Sequence, residues 1–219
     1  MIHVISAANR HLYEDVIEAH YRIRHDIFSG ERGWKALTRP DGREVDAYDN
    51  QDTVYLLAME DERIVGGNRL YPTLRPTMME EVFAHLASVR GIPSGPTIWE
   101  WSRLFAIKER RDSKLYFELM ASLHEFCLDE GITELSGVME TWWLPRLQQL
   151  EFTVRPLGLP DLVENQMTMA ARFVISAETL SHIKAMAGIK GSVLVRRGPQ
   201  HSLVGRALEI QRQASAKAS

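Results

Sequence analysis

The sequence predicts an α/β fold in which a mixed β-sheet is flanked by helices, within one domain. Three observations lead there. Short apolar runs of strand length recur from residue 2 to residue 175. Amphipathic stretches at helical spacing lie between them. Strands and helices alternate along the chain instead of separating into blocks, which sets helices against the sheet.

Taken in order, Ile2 to Ile5 reads as a first strand. Asn9 is placed to cap a helix over Arg10 to Ile27. Tyr13, Val16, Ile17, Ile23, Ile27 and Phe28 form its inward stripe, and Arg24 shares a face with Phe28. Residues 29–52 are loop chemistry, with three glycines and Pro40. A connection this long inside a compact domain is usually functional or mobile. It also carries Trp34. Val54 to Met59 and Ile64 to Tyr71 read as a hairpin turning through Glu60 to Arg63. Met78 to Leu86 is expected to be a short helix. Thr97 to Ile107 reads as a strand. Ser113 to Asp129 is a strong helix with Leu115, Leu119, Leu123 and Phe126 on one side, ended by Gly131. Leu135 to Met139 is a strand, and Glu140 to Leu150 is helical with Pro145 as a kink or early boundary. Phe152 to Pro156 and Met167 to Ile175 are later strands, and Ala177 to Met186 is a helix. Beyond Gly188 the reading is a basic, amphipathic extension over about 187–219 with Arg196, Arg197, Arg206 and Arg212. Its last six residues, 214–219, are expected to be disordered.

Composition narrows the classes. The chain has 219 residues, enough for one large domain, with 45% hydrophobic and 25% charged residues. A net charge of -3 gives no general drive towards nucleic acid or an anionic membrane, so neither is an expected partner. The one cysteine, Cys127, allows no internal disulfide and fits a reducing compartment. No basic start precedes an apolar run, and no apolar stretch is long enough to span a bilayer, so a cytoplasmic location is expected. His124 and Cys127 are three apart on a helix, but no further ligand stands at useful spacing, and no metal is expected.

The chemistry concentrates in Trp99-Glu100-Trp101-Ser102-Arg103-Leu104-Phe105. This stretch reads as a buried strand, yet it carries a carboxylate, a hydroxyl and a guanidinium. Buried ionised groups need partners. Arg24, Asp46, Asp49 and Arg69 upstream can supply them, and such convergence suggests a site. Strict alternation puts Glu100 and Ser102 on one face of the strand and Arg103 on the other. A shared cleft therefore requires a bulge or bend near Trp101–Ser102, which would also splay the strand from a neighbour.

In order, Arg24, Phe28, Trp34, Asp46, Asp49, Arg69, Phe83, Glu100 and Arg103 resemble the pattern of the acyl-homoserine lactone synthases, the quorum-sensing autoinducer synthases. The local signatures are Arg22-Ile-Arg24-His-Asp-Ile-Phe28, Glu44-Val-Asp46-Ala-Tyr-Asp49, Gly66-Gly-Asn-Arg69-Leu-Tyr-Pro72-Thr and Trp99-Glu100-Trp-Ser102-Arg103. The resemblance covers about residues 1–175. It implies a GNAT-like fold and a two-step reaction. The α-amine of S-adenosylmethionine takes the acyl group of a thioester. The methionine carboxylate then displaces methylthioadenosine and closes a lactone.

Under that resemblance Glu100 is the candidate base, directly or through a water, with Ser102 and Arg103 beside it. Phe28 and Trp34 would stack on the adenosyl group or face the sulfonium. Asp46 and Asp49 would hold the amine or neighbouring arginines, and Arg69 would be a structural partner to those acids. The splayed edge would receive the pantetheine arm. Lys108, Arg110, Arg111 and Lys114 precede a helix and would meet either CoA phosphates or an acidic acyl carrier protein. The Gly-rich loop of ordinary GNAT enzymes is absent there. Bulk at Trp101, Trp142 and Trp143, with Phe83, Met139 and Thr141, suggests a short acyl pocket, although the paired tryptophans also suit a core. The expected donor is isovaleryl-CoA, with an aryl-CoA second. Both compounds are substrates, so no cofactor is expected, and a monomer or weak homodimer is. The competing readings are a GNAT-type enzyme acting on another amine and a non-catalytic ligand sensor.

Overall fold

A computed structural model describes residues 1–205, 208, 209, 211 and 212. Its strands are β1 (Ile2–Ile5), β2 (Val54–Glu60), β3 (Arg63–Pro72), β4 (Ile98–Ala106), β5 (Glu134–Glu140), β6 (Thr153–Pro156), β7 (Asp161–Val163), β8 (Gln166–Val174) and β9 (Leu194–Val195). They form one mixed sheet in the order β6-β8-β5-β4-β3-β2-β1-β9, with β7 also paired to β8. The helices are α1 (Glu14–Arg24), α2 (Met78–Glu81), α3 (Ser113–Glu130), α4 (Leu144–Gln149) and α5 (Ala177–Ala187). Among the described residues no helix is long and apolar enough to cross a membrane.

The parallel pair β4–β5 needs a crossover, and α3 supplies it. Asp112 caps α3 by accepting from the Leu115 N–H at 2.9 Å, and Gly131 ends it at φ 74°. Leu115, Leu119, Leu123 and Phe126 join Leu56, Leu70, Trp99 and Leu135 in the main core. Ile17, Tyr21, Ile27 and Phe28 build a second cluster with Ile5, Tyr55 and Leu57, to which Trp34 packs.

Several boundaries differ from the sequence reading. Asn9 does not cap a helix. Its side chain accepts from Ser6 N–H and donates to the carbonyls of Val4 and Arg197, each at 2.9 Å. Only a single turn follows it, and α1 starts at Glu14. Past Arg24 the helix widens into a π-turn over His25–Glu31, whose last three residues lie in the stretch read as loop. The Met78–Leu86 helix stops at Glu81 and gives way to a 3₁₀ turn at Ala84–Ala87. Glu140 belongs to β5, Thr141–Trp143 is a 3₁₀ turn, and Pro145 sits in the first turn of α4, so it is a boundary and not a kink. The three-residue β7 has no alternation to reveal it, and it turns into β8 through Glu164 and Asn165, both at positive φ. The extension beyond Gly188 is not a free surface tail at its start. β9 adds to β1 in parallel, Val193 and Leu194 are buried, and Arg196 pairs with Asp129 and Glu130. Arg206 and the segment 214–219 lie outside the described residues.

The expected bulge is present, slightly further along β4. Gly67 pairs with Phe105 and Arg69 with Ser102, so Asn68 alone faces Arg103 and Leu104. Arg103 adopts φ 52°, a left-handed conformation that costs a non-glycine residue roughly 1–3 kcal/mol unless its surroundings enforce it. On the other side of β4, pairing to β5 runs only from Ile98–Glu134 to Glu100–Ser136. Beyond it the two strands part into a notch. Gly137 sits at the apex, where a Cβ would lie 2.8 Å from the carbonyl oxygen of Trp101.

Gly137→Ala is therefore expected to destabilise the protein by about 1–3 kcal/mol, since backbone must move to admit the methyl. Urea unfolding would measure the loss, and an unchanged midpoint would show that the apex is not tight.

Candidate active site

Charge joins the end of α1, the loop and the two central strands. Arg24 is fully buried. It donates through Nε to Glu44, and through Nη1 and Nη2 to Asp49 Oδ1 and Oδ2 at 2.6 and 2.9 Å. Arg103 grips Glu44 from the other side, Nη2 to Oε1 at 2.9 Å and Nε to Oε2 at 3.1 Å, and reaches Asp46 Oδ2 at 2.9 Å. Arg69 donates to Asp46 Oδ1 at 2.6 Å and to Ser102 Oγ at 3.0 Å, and its Nη1 lies 3.0 Å from Asp49 Oδ1. Three guanidiniums and three carboxylates thus interleave, and their formal charges cancel. Tyr55 adds a hydrogen bond to Asp49 at 2.9 Å. The loop turns tightly because Asp46 N–H donates to Asp49 Oδ2 and Tyr48 N–H to Asp46 Oδ1, both at 2.9 Å.

Burial alone would push the Glu44 carboxyl up. The hydrogen bonds and charges of Arg103 and Arg24 outweigh it and hold the group at about 2. Asp49 is likewise kept well below the ordinary range, its burial overcome by Arg69 and Arg24. Burial, and then the nearby Arg69 charge, lowers Arg103. Burial raises Glu100, against the pull of the Met79 and Met78 N–H groups.

In front of this network lies a cavity of about 470 Å³, within the range of small-ligand sites. At one end Phe28 and Trp34 stack at 5.2 Å, with Asp46 and Tyr48 beside them. The notch forms the middle, with Trp101 to Leu104 on one wall and Gly137 to Glu140 on the other. Met78, Val82, Phe83, Trp143, Leu147 and Phe173 make the other end predominantly apolar.

Of the residues singled out from sequence, Phe28, Trp34, Asp46, Ser102, Arg103, Phe83, Trp101, Met139 and Trp143 line this one cavity. Arg24, Asp49 and Arg69 stand behind its wall, as the network that orients Asp46 and Arg103. Glu100 is 2% exposed and is not a wall residue; its two oxygens accept from Met78 N–H at 3.1 Å and Met79 N–H at 2.8 Å. Thr141 and Trp142 are also off the cavity. Trp142 is exposed and stacks on Trp143 at 4.6 Å. The basic run lies outside the cavity walls too. Arg110 pairs with Glu60 and Asp112, Arg111 pairs with Glu31, and Lys108 and Lys114 are exposed.

Charged residues not proposed for the site from sequence include Glu44, Arg32, and the cavity-lining Glu140 and Glu164. Glu44, the hub of the network, stands in the same acidic loop as Asp46 and Asp49; loop residues have no periodicity to mark which one turns inward. Arg32 lies 5.4 Å over both Phe28 and Trp34 and donates to Glu140 at 3.3 Å, joining the loop to the end of β5.

Fold and site together define a class: an acyltransferase architecture whose splayed sheet opens beside a charged, aromatic-walled pocket. An acyl-CoA N-acyltransferase from Pseudomonas aeruginosa shares the fold alone, at 17% identity and TM-score 0.57, over 77% of this chain and 95% of that one. The family model of the autoinducer synthases matches residues 8–183. The chain belongs to that family. It is 59% identical over 207 residues to the isovaleryl-homoserine lactone synthase of Bradyrhizobium diazoefficiens, covering 94% of each. The solved structure of a CoA-dependent acyl-homoserine lactone synthase, BjaI, with SAM and isopentyl-CoA, superposes with TM-score 0.93 at 59% identity, over 95% of this chain and 99% of that one.

Glu44→Ala strands two buried guanidiniums, so it is expected to cost about 3–5 kcal/mol in urea unfolding. The sign of the pH effect follows from the depressed carboxyl. Its contribution is complete above the ordinary value of 4.5 and is lost as pH falls towards about 2. Stability of the unmodified protein should drop across that window, and the variant should show a flatter profile; equal slopes would argue against the network.

Proposed function

We propose that this chain makes an N-acyl-homoserine lactone from S-adenosylmethionine and a short branched acyl-CoA, with isovaleryl-CoA as the donor. One observation carries the reading: a single cavity joins the charged, aromatic pocket to the strand notch and to an apolar end closed by Trp143. Two substrates can meet there, and the 59%-identical relatives are named for this chemistry.

Each part of the cavity suits one part of the reaction. The sulfonium of S-adenosylmethionine is a cation, which the faces of Phe28 and Trp34 and the carboxylate of Asp46 favour. Its own carboxylate is drawn to Arg103, whose guanidinium is already fixed by Glu44. The unpaired edges of β4 and β5 offer backbone hydrogen bonds to an extended pantetheine arm. In the first step the neutral amine attacks the thioester carbonyl, a C–N bond forms, and the thiol leaves. An α-amine ionises near pH 8, so a good fraction is neutral at working pH and the cavity need only accept its proton. In the second step a carboxylate oxygen attacks the γ-carbon, and the C–S electron pair returns to sulfur. Methylthioadenosine leaves as a neutral molecule. Holding the carboxylate in line with that bond is a proximity effect.

Size selection falls to Trp143. Its ring is stacked on Trp142 and lies 6.0 Å from Tyr116, while Arg146 sits over both indoles at 5.4 and 5.6 Å. A ring held on several sides yields little to a longer chain. A monomer or weak homodimer is part of the proposal. CoA, not a carrier protein, is the proposed thiol, and a cytoplasmic location suits both substrates.

Mixing the pure protein with S-adenosylmethionine and isovaleryl-CoA should release methylthioadenosine and free thiol in equal amounts, with the lactone found by mass. If no acyl-CoA and no acylated carrier yields either product, the reading is wrong. Trp143→Ala should raise kcat/KM for longer acyl chains relative to isovaleryl-CoA by roughly tenfold. Unchanged chain-length preference would make Trp143 ordinary core.

A further inference from the structure

We infer that Glu100 acts as a positioning residue: its carboxylate pins the start of α2, and so holds Met78, Val82 and Phe83 as walls of the acyl cavity. The inference rests on the two-substrate reading above and assigns Glu100 a task other than taking the amine proton. Both Glu100 oxygens are engaged by backbone N–H groups, those of Met78 and Met79, at 3.1 and 2.8 Å. The side chain stands behind the cavity and not in its wall. A base must reach the proton that it removes, directly or through one water. This carboxylate is instead committed to two orphan donors at a helix start.

The element it holds is short and matters to the cavity. α2 spans only Met78–Glu81, too short to be stable by itself. Three anchors fix it. Thr77 Oγ accepts from Glu80 N–H at 3.2 Å, Tyr48 Oη donates to Glu81 Oε2 at 2.5 Å, and Glu100 takes the first two N–H groups. Met78 Sδ in turn lies 3.6 Å from Arg103 Nη1. Glu100 is the β4 member of the last β4–β5 pair, so it ties α2 to the start of the notch. Moving α2 would shift Phe83 and Val82 against the acyl group while leaving Phe28 and Trp34 in place.

A carboxamide at position 100 keeps one acceptor and presents N–H to the other donor. Glu100→Gln is therefore expected to raise KM for isovaleryl-CoA about tenfold, shift preference towards other chain lengths, and lower kcat only a few-fold. The acid limb of kcat/KM should stay where it is in the unmodified enzyme, because the substrate amine sets it. Hydrogen exchange of the segment 77–83 should quicken in the variant. Thr77→Ala removes the cap on Glu80 N–H together with the threonine's hydrogen bond to the Glu100 carboxylate, while leaving that carboxylate in place; it should shift chain-length preference in the same direction, and it decides the matter if the Gln variant does not fold. A base role would look different: kcat down by about 10²–10⁴, with KM, chain-length preference and exchange unchanged. That result, or unaltered preference in Thr77→Ala, overturns the inference. Lactone synthesis by the unmodified enzyme is read alongside, so failure of the proposed reaction shows separately; the exchange measurement stands without it.

Discussion

The structure depends on one constraint: six interlocked charges, five with buried side chains and Asp46 at the cavity wall, that no single element can neutralise. Arg24 comes from the end of α1, Arg69 from β3 and Arg103 from β4, while Glu44, Asp46 and Asp49 all come from the connection between α1 and β2. Any of these left alone in the interior would be expensive, because an unpaired buried ion has lost its water and gained nothing. All six are satisfied only when the loop closes over the central strands. The loop therefore has a defined path despite its glycines, and Asp46 and Arg103 present fixed faces to the cavity. Such a network adds less to net stability than its bond count suggests, since each ion must first be dehydrated. What it enforces is geometry, which a two-substrate site needs more.

The second determinant is backbone. Where Asn68 faces two residues of β4, alternation breaks, and Arg103 turns back to the side that faces Glu44. Trp101, Ser102, Arg103 and Leu104 consequently all reach the cavity, which a regular strand would not allow. The pairing of β4 with β5 ends nearby at Glu100–Ser136. One local irregularity thus aims a guanidinium, and the adjacent break in pairing leaves two strand edges open. The left-handed conformation at Arg103 is held by the hydrogen bonds of its own side chain to Glu44 and Asp46, so the charge network and the bulge support each other.

The cavity divides into a polar half fixed by ion pairs and an apolar half fixed by packing. Glu100 links them from behind, through the first two amides of α2. Its burial disfavours the charged form, and the amides partly offset that. The apolar end depends on elements with little intrinsic stability: a four-residue helix and a 3₁₀ turn carrying Trp143. Small changes in such elements alter pocket shape at low cost to the core.

Much of this was legible in the chain. Period-two and period-3.6 patterns marked most strands and the long helices, because their faces are buried in the way those periods require. The clash between alternation and a shared cleft predicted the bulge, within two residues of where it lies. The ordered charged and aromatic residues carried the family. What stayed hidden has physical causes. Residue type cannot say which loop acid turns inward, so Glu44 was passed over. Three-residue β7 and two-residue β9 are too short for any period. Sequence adjacency made Trp142 look equivalent to Trp143, although a 3₁₀ turn sends one ring to the surface and the other to the cavity. By itself, then, the sequence determined the α/β class and the family, since these rest on composition, period and order. Which carboxylate stands behind the wall and which faces the cavity was decided only by tertiary structure, because burial and partner choice depend on groups distant along the chain.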